Sequence, residues 1–335
     1  MSAHQSQNHE DIRTLDFRQH LLAWYDANAR DLPWRKDRHP YRVWVSEIML
    51  QQTRVAAVIE HYHEFLRRFP TVKKLAAARE ASVLAAWSGL GYYRRARMLH
   101  AAAKMVARER NGKFPESAEG WRELPGIGRY TAAAIASIAF GEPVAVVDGN
   151  VERVLQRISS EQFAGEQLWG AAENFLDRER PGDFNQAMME LGATVCTPRA
   201  PACLTCPVVE MCLTRGELLS GPKGMPQKKR EIHYALDLRN GSVFLVQRPQ
   251  NASLMAGMWE LPEIPAPADH AKPMLTVRHS ITVTDYTVRV WRRQFSHRPV
   301  GERMVLDRLP RVALTGLTRK ILRKAEIVLW REKLN

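Results

Sequence analysis

Four cysteines, the only ones in the 335-residue chain, lie within 17 residues in the spacing C-x6-C-x2-C-x5-C: Cys196, Cys203, Cys206 and Cys212. Four thiolates gathered in this way fit an iron–sulfur cluster. Zinc is the alternative that the spacing leaves open, although zinc ribbons usually have two C-x2-C pairs and this chain has one. Disulfides suit small secreted domains and are not expected, because the chain is long and its first residues have no apolar signal core.

A second chemical feature is the segment Leu124-Pro125-Gly126-Ile127-Gly128, which separates two predicted helices. Gly126 and Gly128 allow a tight hairpin, with backbone N–H groups facing outward at the start of the second helix. Such groups bind phosphate oxygens. An ordinary helix–helix turn would use the same residues, so the segment indicates a phosphate contact without deciding it.

Asp148 follows an apolar stretch and immediately precedes a predicted helix over 151–158. Its carboxylate could simply cap that helix. Because it comes 20 residues after Gly128, close in sequence to a hairpin suited to a DNA backbone, we favour a catalytic role for Asp148.

The elements that position these residues are mostly helical. Apolar residues at helical spacing predict one long segment over 43–69. Gln52 falls on the apolar stripe of that segment, where a core residue is expected. It is therefore either a satisfied polar group in the core or a side chain with a function.

The period changes after a glycine-, proline- and lysine-rich linker over 216–231. Alternating residues then predict strands over 234–238, 243–246 and 282–291, followed by a closing helix over 315–333. Besides this linker, we expect the chain to contain a disordered tail over 1–14, a mainly α domain over 15–215 and a small α+β domain over 232–335.

The charge of the chain indicates its partner. Lysine and arginine number 49 against 36 acidic residues, a net charge of +13. This excess favours a polyanion, most often nucleic acid. The longest apolar run, over 132–140, is too short to span a bilayer, so we do not expect a membrane protein.

The hairpin, Asp148 and the cysteine motif, in that order, resemble the helix–hairpin–helix DNA glycosylases of the endonuclease III superfamily. The resemblance covers about residues 15–215. It implies two helical subdomains with a [4Fe–4S] cluster loop at 196–212. It also implies a hairpin that grips the strand near the lesion, and an aspartate that acts at the sugar C1′ of a flipped nucleotide.

Tyr130 decides between branches of this superfamily. Members that also cut the strand carry a lysine at this position, whose amine forms a Schiff base with C1′. A phenol cannot form an imine, and the sequence is similar to the adenine DNA glycosylases of the MutY type, which remove adenine paired with 8-oxoguanine. In the matching segment Ser46-Glu47-Ile48-Met49-Leu50-Gln51-Gln52-Thr53, the general acid of the family maps to Glu47.

The resemblance carries further roles to this chain. Asn150, with Tyr130 nearby, positions water or the Asp148 carboxylate, and Gln186 hydrogen-bonds adenine. The other residues implied at the adenine pocket and the strand beside it are Arg30, Trp34 and Arg35.

Two segments are expected to contact the base opposite adenine. Gln52 and Thr53 match residues that probe the base stack. Leu90 and Tyr92 match a second wedge, and the glycines on both sides of Leu90 predict an exposed tip.

The C-terminal domain resembles the Nudix-like domain that recognises 8-oxoguanine in this family. Its glutamate-rich catalytic helix is missing here, so nucleotide hydrolysis is not expected. The family's Phe-Ser-His reader aligns with Ile281-Thr282-Val283, in which Thr282 replaces the serine hydroxyl. A literal Phe295-Ser296-His297 occurs later, at a spacing that does not match.

The sequence therefore predicts a monofunctional adenine DNA glycosylase, without efficient lyase activity, that hydrolyses the N-glycosidic bond. Its partner is double-stranded DNA with A:8-oxoguanine or A:G mispairs. We expect a monomer in a bacterial cytoplasm, associated with the nucleoid. The alternatives are another mismatch-specific glycosylase of this fold, and a non-catalytic iron–sulfur DNA-binding protein, which the Glu47–Asp148 pair opposes.

Overall fold

The computed structural model describes residues 3–217, 228–267, 272–281, 284–295 and 300–327, with the backbone alone for 3–12 and 281. Two compact units divide the chain. Unit 1 comprises Met1–Tyr62 and Ala102–Pro222, and unit 2 comprises His63–Ala101 and Lys223–Asn335. This division differs from the predicted boundary at 215, because residues 63–101 group with the C-terminal part.

The α-helices are α1 (Ala3–Asn28), α2 (Pro40–Leu50), α3 (Val55–Arg68), α4 (Val72–Ala77), α5 (Glu80–Trp87), α6 (Arg94–Glu109), α7 (Ala118–Arg122), α8 (Arg129–Ile135), α9 (Gly149–Ser159), α10 (Glu166–Phe175), α11 (Pro181–Thr194) and α12 (Gly316–Lys324). A 3₁₀ turn spans Pro33–Arg35, and a π-helical turn over Ala136–Phe140 directly follows α8. Two more 3₁₀ turns, Cys203–Thr205 and Val209–Met211, lie in the cysteine loop. Another 3₁₀ turn spans Leu306–Arg311.

Helix α1 begins at Ala3, within the segment 1–14 that was predicted as a tail. Helix α1 has no glycine or proline to interrupt it, so the helix can propagate outward from the buried Phe17 and Leu21. Arg13 also fixes this helix, because its Nη2 donates to the carbonyl oxygens of Ile158 and Met211.

The segment 43–69 is two helices, which corrects the single helix predicted there. Helix α2 ends at Leu50, and Gln52 has a φ of 53°, in the left-handed region that a continuing helix excludes. Gln52 is exposed at this break. It therefore does not lie on the apolar stripe of a helix.

Unit 1 has its own hydrophobic core. Apolar residues of α1, α9 and α11 form it, with Phe17, Leu155 and Leu191 nearly inaccessible to solvent. Helix α11 approaches its neighbours closely at two glycines. A Cβ on Gly192 would lie 2.6 Å from the Cβ of Asn150, and one on Gly182 would lie 2.6 Å from the carbonyl oxygen of Ser137.

The described residues of unit 2 form two four-stranded sheets. The strands are β1 (Lys228–Leu236), β2 (Leu238–Arg239), β3 (Ser242–Gln247), β4 (Trp259–Glu260), β5 (Glu263–Ile264), β6 (Leu275–Ile281), β7 (Thr284–Arg292) and β8 (Glu302–Val305). One sheet has the order β5-β1-β7-β6, and the other has β2-β3-β4 with β8 also on β3. Strands β1 and β7 run parallel from Lys228↔Thr284 to Leu236↔Arg292, whereas β6 and β7 are antiparallel.

The predicted fold class, a mainly α region followed by a smaller α+β part, is confirmed. The linker is shorter than predicted, because residues 228–231 already pair with β7. The closing helix ends at Lys324 in the described residues. A Nudix-like topology stays a prediction. No helix among the described residues is long and apolar enough to cross a membrane.

Candidate active site

Glu47 is a buried carboxyl on α2, in unit 1. The helix begins at Pro40, where His39 accepts a hydrogen bond from the Tyr41 N–H, and it buries eight of its 11 residues. Glu47, the only acid of α2, is 5% exposed. Burial raises its pKa to about 7, and the charge of Asp148 adds to this, against the opposing effects of the Tyr130 hydrogen bond and Arg35. The side chain can therefore hold a proton near neutral pH.

Tyr130 lies beside this carboxyl. Gly128 precedes α8 in extended backbone without a side-chain cap, and Gly126 has the positive φ of 78° that the hairpin requires. Tyr130, the second residue of α8, donates its phenol hydrogen to Glu47 Oε2 at 2.9 Å. Burial, and then the charges of Glu47 and Asp148, raise its pKa well above the usual value. Tyr130 is thus a neutral donor that holds Glu47 in place.

Asp148 caps α9, as its sequence position allowed. Its Oδ1 accepts the N–H groups of Asn150 and Val151, each at 2.8 Å. Its Oδ2 accepts the side-chain amide of Asn150 at 2.9 Å. These three hydrogen bonds fix the position and orientation of the carboxylate. The cap and the chemical role are compatible, because Asp148 is only partly buried.

A second buried carboxyl, Glu190 on α11, stays ionised. It is 1% exposed, yet Arg30 binds it with both Nε and Nη2, at 2.5 and 2.7 Å, and Arg35 adds a bond of 2.9 Å. Burial alone would raise the pKa of Glu190, but these arginines outweigh it and hold the pKa below its usual value. The environments of Glu47 and Glu190 therefore drive two buried glutamates to opposite protonation states.

The remaining predicted residues of unit 1 fall into two groups. Gln186 is half-buried on the same face of α11 as Met189 and Glu190, at helical spacings of three and four. The Met189 sulfur lies 3.5 Å from the Tyr130 hydroxyl, which brings this face next to Glu47. Trp34, in contrast, is 7% exposed and packs edge-on against Tyr62, with ring centroids 5.5 Å apart.

The residues expected opposite adenine are placed less simply. Thr53 follows the exposed Gln52, and its hydroxyl donates to the Gln51 carbonyl. Leu90 is only 6% exposed, which corrects the exposed tip predicted for it, whereas Tyr92 is 48% exposed. Positive φ angles at Gly89, Gly91 and Tyr92 turn the chain so that Leu90 points inward. Both residues belong to unit 2, and Thr282 lies outside the described residues.

The four cysteines lie in one loop, and N–H groups of neighbouring residues donate to two of the sulfur atoms. Arg157 is 3% exposed and donates to Cys196 Sγ at 3.2 Å and to the Thr197 carbonyl at 2.7 Å. The Arg215 N–H donates to Cys212 Sγ at 3.4 Å. Burial raises the pKa of Cys206 to about 11, and the other three thiols contribute to this rise.

This donor set is chemically suited to a thiolate-bound metal centre. Four thiols lie close enough to interact, and N–H donors point at sulfur, as they do around cluster thiolates. Within the described residues, no three His, Cys, Asp or Glu side chains are arranged to hold a single metal ion. The identity of a bound group therefore rests on the thiol chemistry and on the family.

Arg153 links the cysteine loop to Asp148. Its Nε donates to the Cys196 carbonyl at 2.8 Å, and its Nη2 donates to Asn150 Oδ1 at 2.8 Å. Asn150 in turn donates to Asp148. The sequence reasoning missed Arg153, Arg157 and Glu190. The only signals were the spacing of four residues between the two arginines and an acid in a largely apolar helix.

Comparison with known proteins identifies the family. Residues 45–164 match the model of the HhH-GPD superfamily base excision DNA repair proteins. An adenine DNA glycosylase of Buchnera aphidicola subsp. Schizaphis graminum is 38% identical, over 70% of this chain and 68% of that protein. The chain belongs to the adenine DNA glycosylase family.

A further relative and a solved structure extend the match. The adenine DNA glycosylase of Homo sapiens is 38% identical, over 82% of this chain and 66% of that protein. A thermostable thymine-DNA glycosylase of known structure superposes with a TM-score of 0.57 at 28% identity, covering 61% of this chain and 97% of that one. The chain spans about half to two thirds of the length of the curated adenine DNA glycosylases it matches.

Proposed function

We propose that this protein is a monofunctional glycosylase that excises adenine from A:8-oxoguanine and A:G mispairs in double-stranded DNA. The observation that carries the proposal is the Glu47–Tyr130–Asp148 arrangement. It combines a buried carboxyl, whose pKa of about 7 lets it donate a proton near neutral pH, with a nearby carboxylate that three hydrogen bonds fix in place. The choice of adenine as the excised base rests on the relatives, which are named adenine DNA glycosylases.

The reaction needs a proton donor for the base and a negative charge beside the sugar. Glu47 donates its proton to N7 of a flipped adenine, which makes the base a better leaving group. The C1′–N9 bond then breaks, its electron pair leaves with adenine, and C1′ becomes cationic. Asp148 stabilises that cation by its charge. Water adds to C1′ and loses a proton, which leaves an abasic sugar and free adenine.

Neighbouring side chains support this sequence of steps. Asn150 fixes the Asp148 carboxylate, and Gln186 presents an amide from α11 that can pair with the edge of adenine. Tyr130 orients Glu47 and has no amine with which to attack C1′. Base removal should therefore proceed without a covalent imine and without strand cleavage.

The four cysteines are proposed to hold a [4Fe–4S] cluster, with zinc as the alternative. The centre would stabilise the loop over 196–212 and takes no part in the reaction. Its loss would disturb the carbonyl groups at 196–198 that Arg153 and Arg157 bind. It would therefore affect the fold of unit 1 before it affects any chemical step.

The purified protein should release free adenine from a duplex with A:8-oxoguanine. Little thymine should be released from T:G. Release of thymine is instead the result expected if the protein is another mismatch-specific glycosylase of this fold. Borohydride should trap no protein–DNA adduct, because Tyr130 cannot form one. Iron and sulfide found in the same preparation would identify the cluster. Stoichiometric zinc without iron would identify a zinc site in its place. Tight binding without any base release would overturn the enzymatic proposal.

Replacing Tyr130 by phenylalanine should move the alkaline limit of activity to higher pH. The lost hydrogen bond favours the Glu47 carboxylate, so its removal raises the Glu47 pKa further, by about one unit for one such bond. A pH–rate profile of excision, measured under single-turnover conditions, tests this. A limit displaced to lower pH would contradict the assignment of Tyr130 as a donor to Glu47.

A further inference from the structure

Helix α12 contacts two separate segments of unit 2 through adjacent residues. Thr315 caps the helix, and Leu317, Ile321 and Leu322 anchor it in the core of the unit. Arg319 and Lys320 lie between these anchors. Both are cations, and each donates a hydrogen bond to a different part of the chain.

Arg319 fastens α12 to the segment that follows α5. Its Nε donates to Ser88 Oγ at 3.1 Å, and Ser88 Oγ donates to the Leu314 carbonyl at 2.7 Å. The Tyr93 hydroxyl approaches the same carbonyl at 3.4 Å. Ser88 and Tyr93 are buried. The two ends of the loop over 89–92, hereafter the Tyr92 loop, are therefore tied to α12 and the residue before its cap.

The contact between Arg319 and Ser88 costs free energy, because the Arg319 guanidinium is largely removed from water. Burial lowers the pKa of Arg319 to about 10, so the guanidinium is still charged at neutral pH. A largely desolvated cation is tolerated when its donors are satisfied. An apolar residue would fill the same space without this cost, which indicates that the position of the Ser88 hydroxyl matters.

The Tyr92 loop has the properties of a surface that stacks on a base. Tyr92 is 48% exposed and has a φ of 46°, a strained conformation that persists only where neighbours fix it. The Arg95 guanidinium lies 5.5 Å from the centroid of the Tyr92 ring. An exposed aromatic ring with an adjacent arginine binds unpaired bases by stacking.

Lys320 fastens α12 to β6. Its Nζ donates to the Arg278 carbonyl at 2.7 Å. Burial, and then the charge of Lys320, lower the pKa of the adjacent His279. Arg278 lies three residues before β6 ends at Ile281, where β6 pairs with the start of β7 at Thr284. Arg278 is exposed on this arm of the β6–β7 hairpin and offers a cation to a DNA backbone.

We propose that α12 is a strut that sets the distance between the Tyr92 loop and the end of the β6–β7 hairpin. Arg319 and Lys320 are its positioning residues and do not touch the reacting atoms. The strut couples stacking by Tyr92 to recognition of the base opposite adenine. This inference rests on the proposed function for its effect on specificity, but its structural part does not.

The test compares Arg319→Ala and Lys320→Ala with Lys324→Ala, an exposed residue of α12 whose loss removes the same charge. Hydrogen exchange of residues 88–93 should accelerate about tenfold in Arg319→Ala, as expected for one lost charged hydrogen bond. Exchange of residues 275–281 should accelerate in Lys320→Ala. In both variants the ratio of adenine excision rates opposite 8-oxoguanine and opposite guanine should fall severalfold. Lys324→Ala should match the wild type in all three measurements.

Arg319→Lys keeps a cationic donor and should retain more of both effects than alanine does, and it serves as the test variant if Arg319→Ala does not fold. Unchanged exchange of residues 88–93 in these variants would overturn the strut. Accelerated exchange with an unchanged rate ratio would overturn the coupling to specificity. The exchange measurement needs no substrate, so absence of excision by the wild type would refute the proposed function separately.

Discussion

Replacing Glu47 by glutamine is expected to slow adenine excision by about 10²- to 10⁴-fold, the usual contribution of a positioned general acid. Glutamine keeps the size of the side chain and an oxygen that can accept the Tyr130 hydrogen bond. It removes only the proton that would be donated to adenine. The loss should appear in the single-turnover rate and not in the affinity for the mispair.

The pH dependence identifies the group that acts. Glu47 must be protonated to donate, and its pKa is about 7. The wild-type rate should therefore decline as the pH rises through about 7, and the residual rate of the glutamine variant should lack this decline. A glutamine variant with the wild-type pH profile would assign the general acid to another group.

Stability provides the control for Glu47→Gln. The pKa of Glu47 is raised from its ordinary value of 4.5 to about 7 on folding. Between these values the folded state binds the proton and the unfolded state does not. The free energy of unfolding of the wild type should therefore fall by about 3 kcal/mol as the pH rises from 4.5 to 7. The glutamine variant should lack this fall, and Glu60→Gln, an exposed glutamate of α3, should change neither activity nor stability.

Short-range patterns predicted part of this molecule well. Alternation predicted the segments that form β1, β3 and β7 but not the other strands of unit 2, and the Asp148 cap agrees with the predicted start of α9. The apolar period wrongly predicted one helix where α2 and α3 are separate. The period depends on the polarity of side chains, whereas the helix is broken by the backbone of Gln52, which has a positive φ. Glycines beside Leu90 predicted exposure, but the same positive φ angles turned Leu90 inward and left Tyr92 exposed.

The candidate site depends on distances that no local pattern contains. Glu47 was identified by family resemblance, since a glutamate on a helix is ordinarily solvated. Its raised pKa results from burial among neighbours distant in sequence. Glu190, Arg153 and Arg157 were missed because each has a partner 40 or more residues away in the sequence. Only the folded chain shows which groups these buried charges bind.

Replacing Asp148 by asparagine is expected to slow excision by about 10³-fold, at the upper end of what one electrostatic contact contributes. Asp148 both caps α9 and carries a charge, and the substitution separates these functions. Asparagine is as good a cap as aspartate, because its oxygen can accept the N–H groups of Asn150 and Val151 that Oδ1 now accepts. The fold should therefore survive while the cation at C1′ loses its counter-charge.

The decisive comparison is between this variant and one that damages a cap elsewhere. Thr71 caps α4 by accepting the Lys74 N–H, and Thr71→Ala should cost about 1 kcal/mol of stability with little effect on excision. Asp148→Asn should show the reverse, with a near-normal melting temperature, normal affinity for the mispair and almost no product. If both variants lost activity only in proportion to stability, Asp148 would be a helix cap and nothing more. The position of Asp148 beside Glu47 argues for the chemical role, because a cap alone does not require a second, buried carboxyl close enough for its charge to raise the Glu47 pKa.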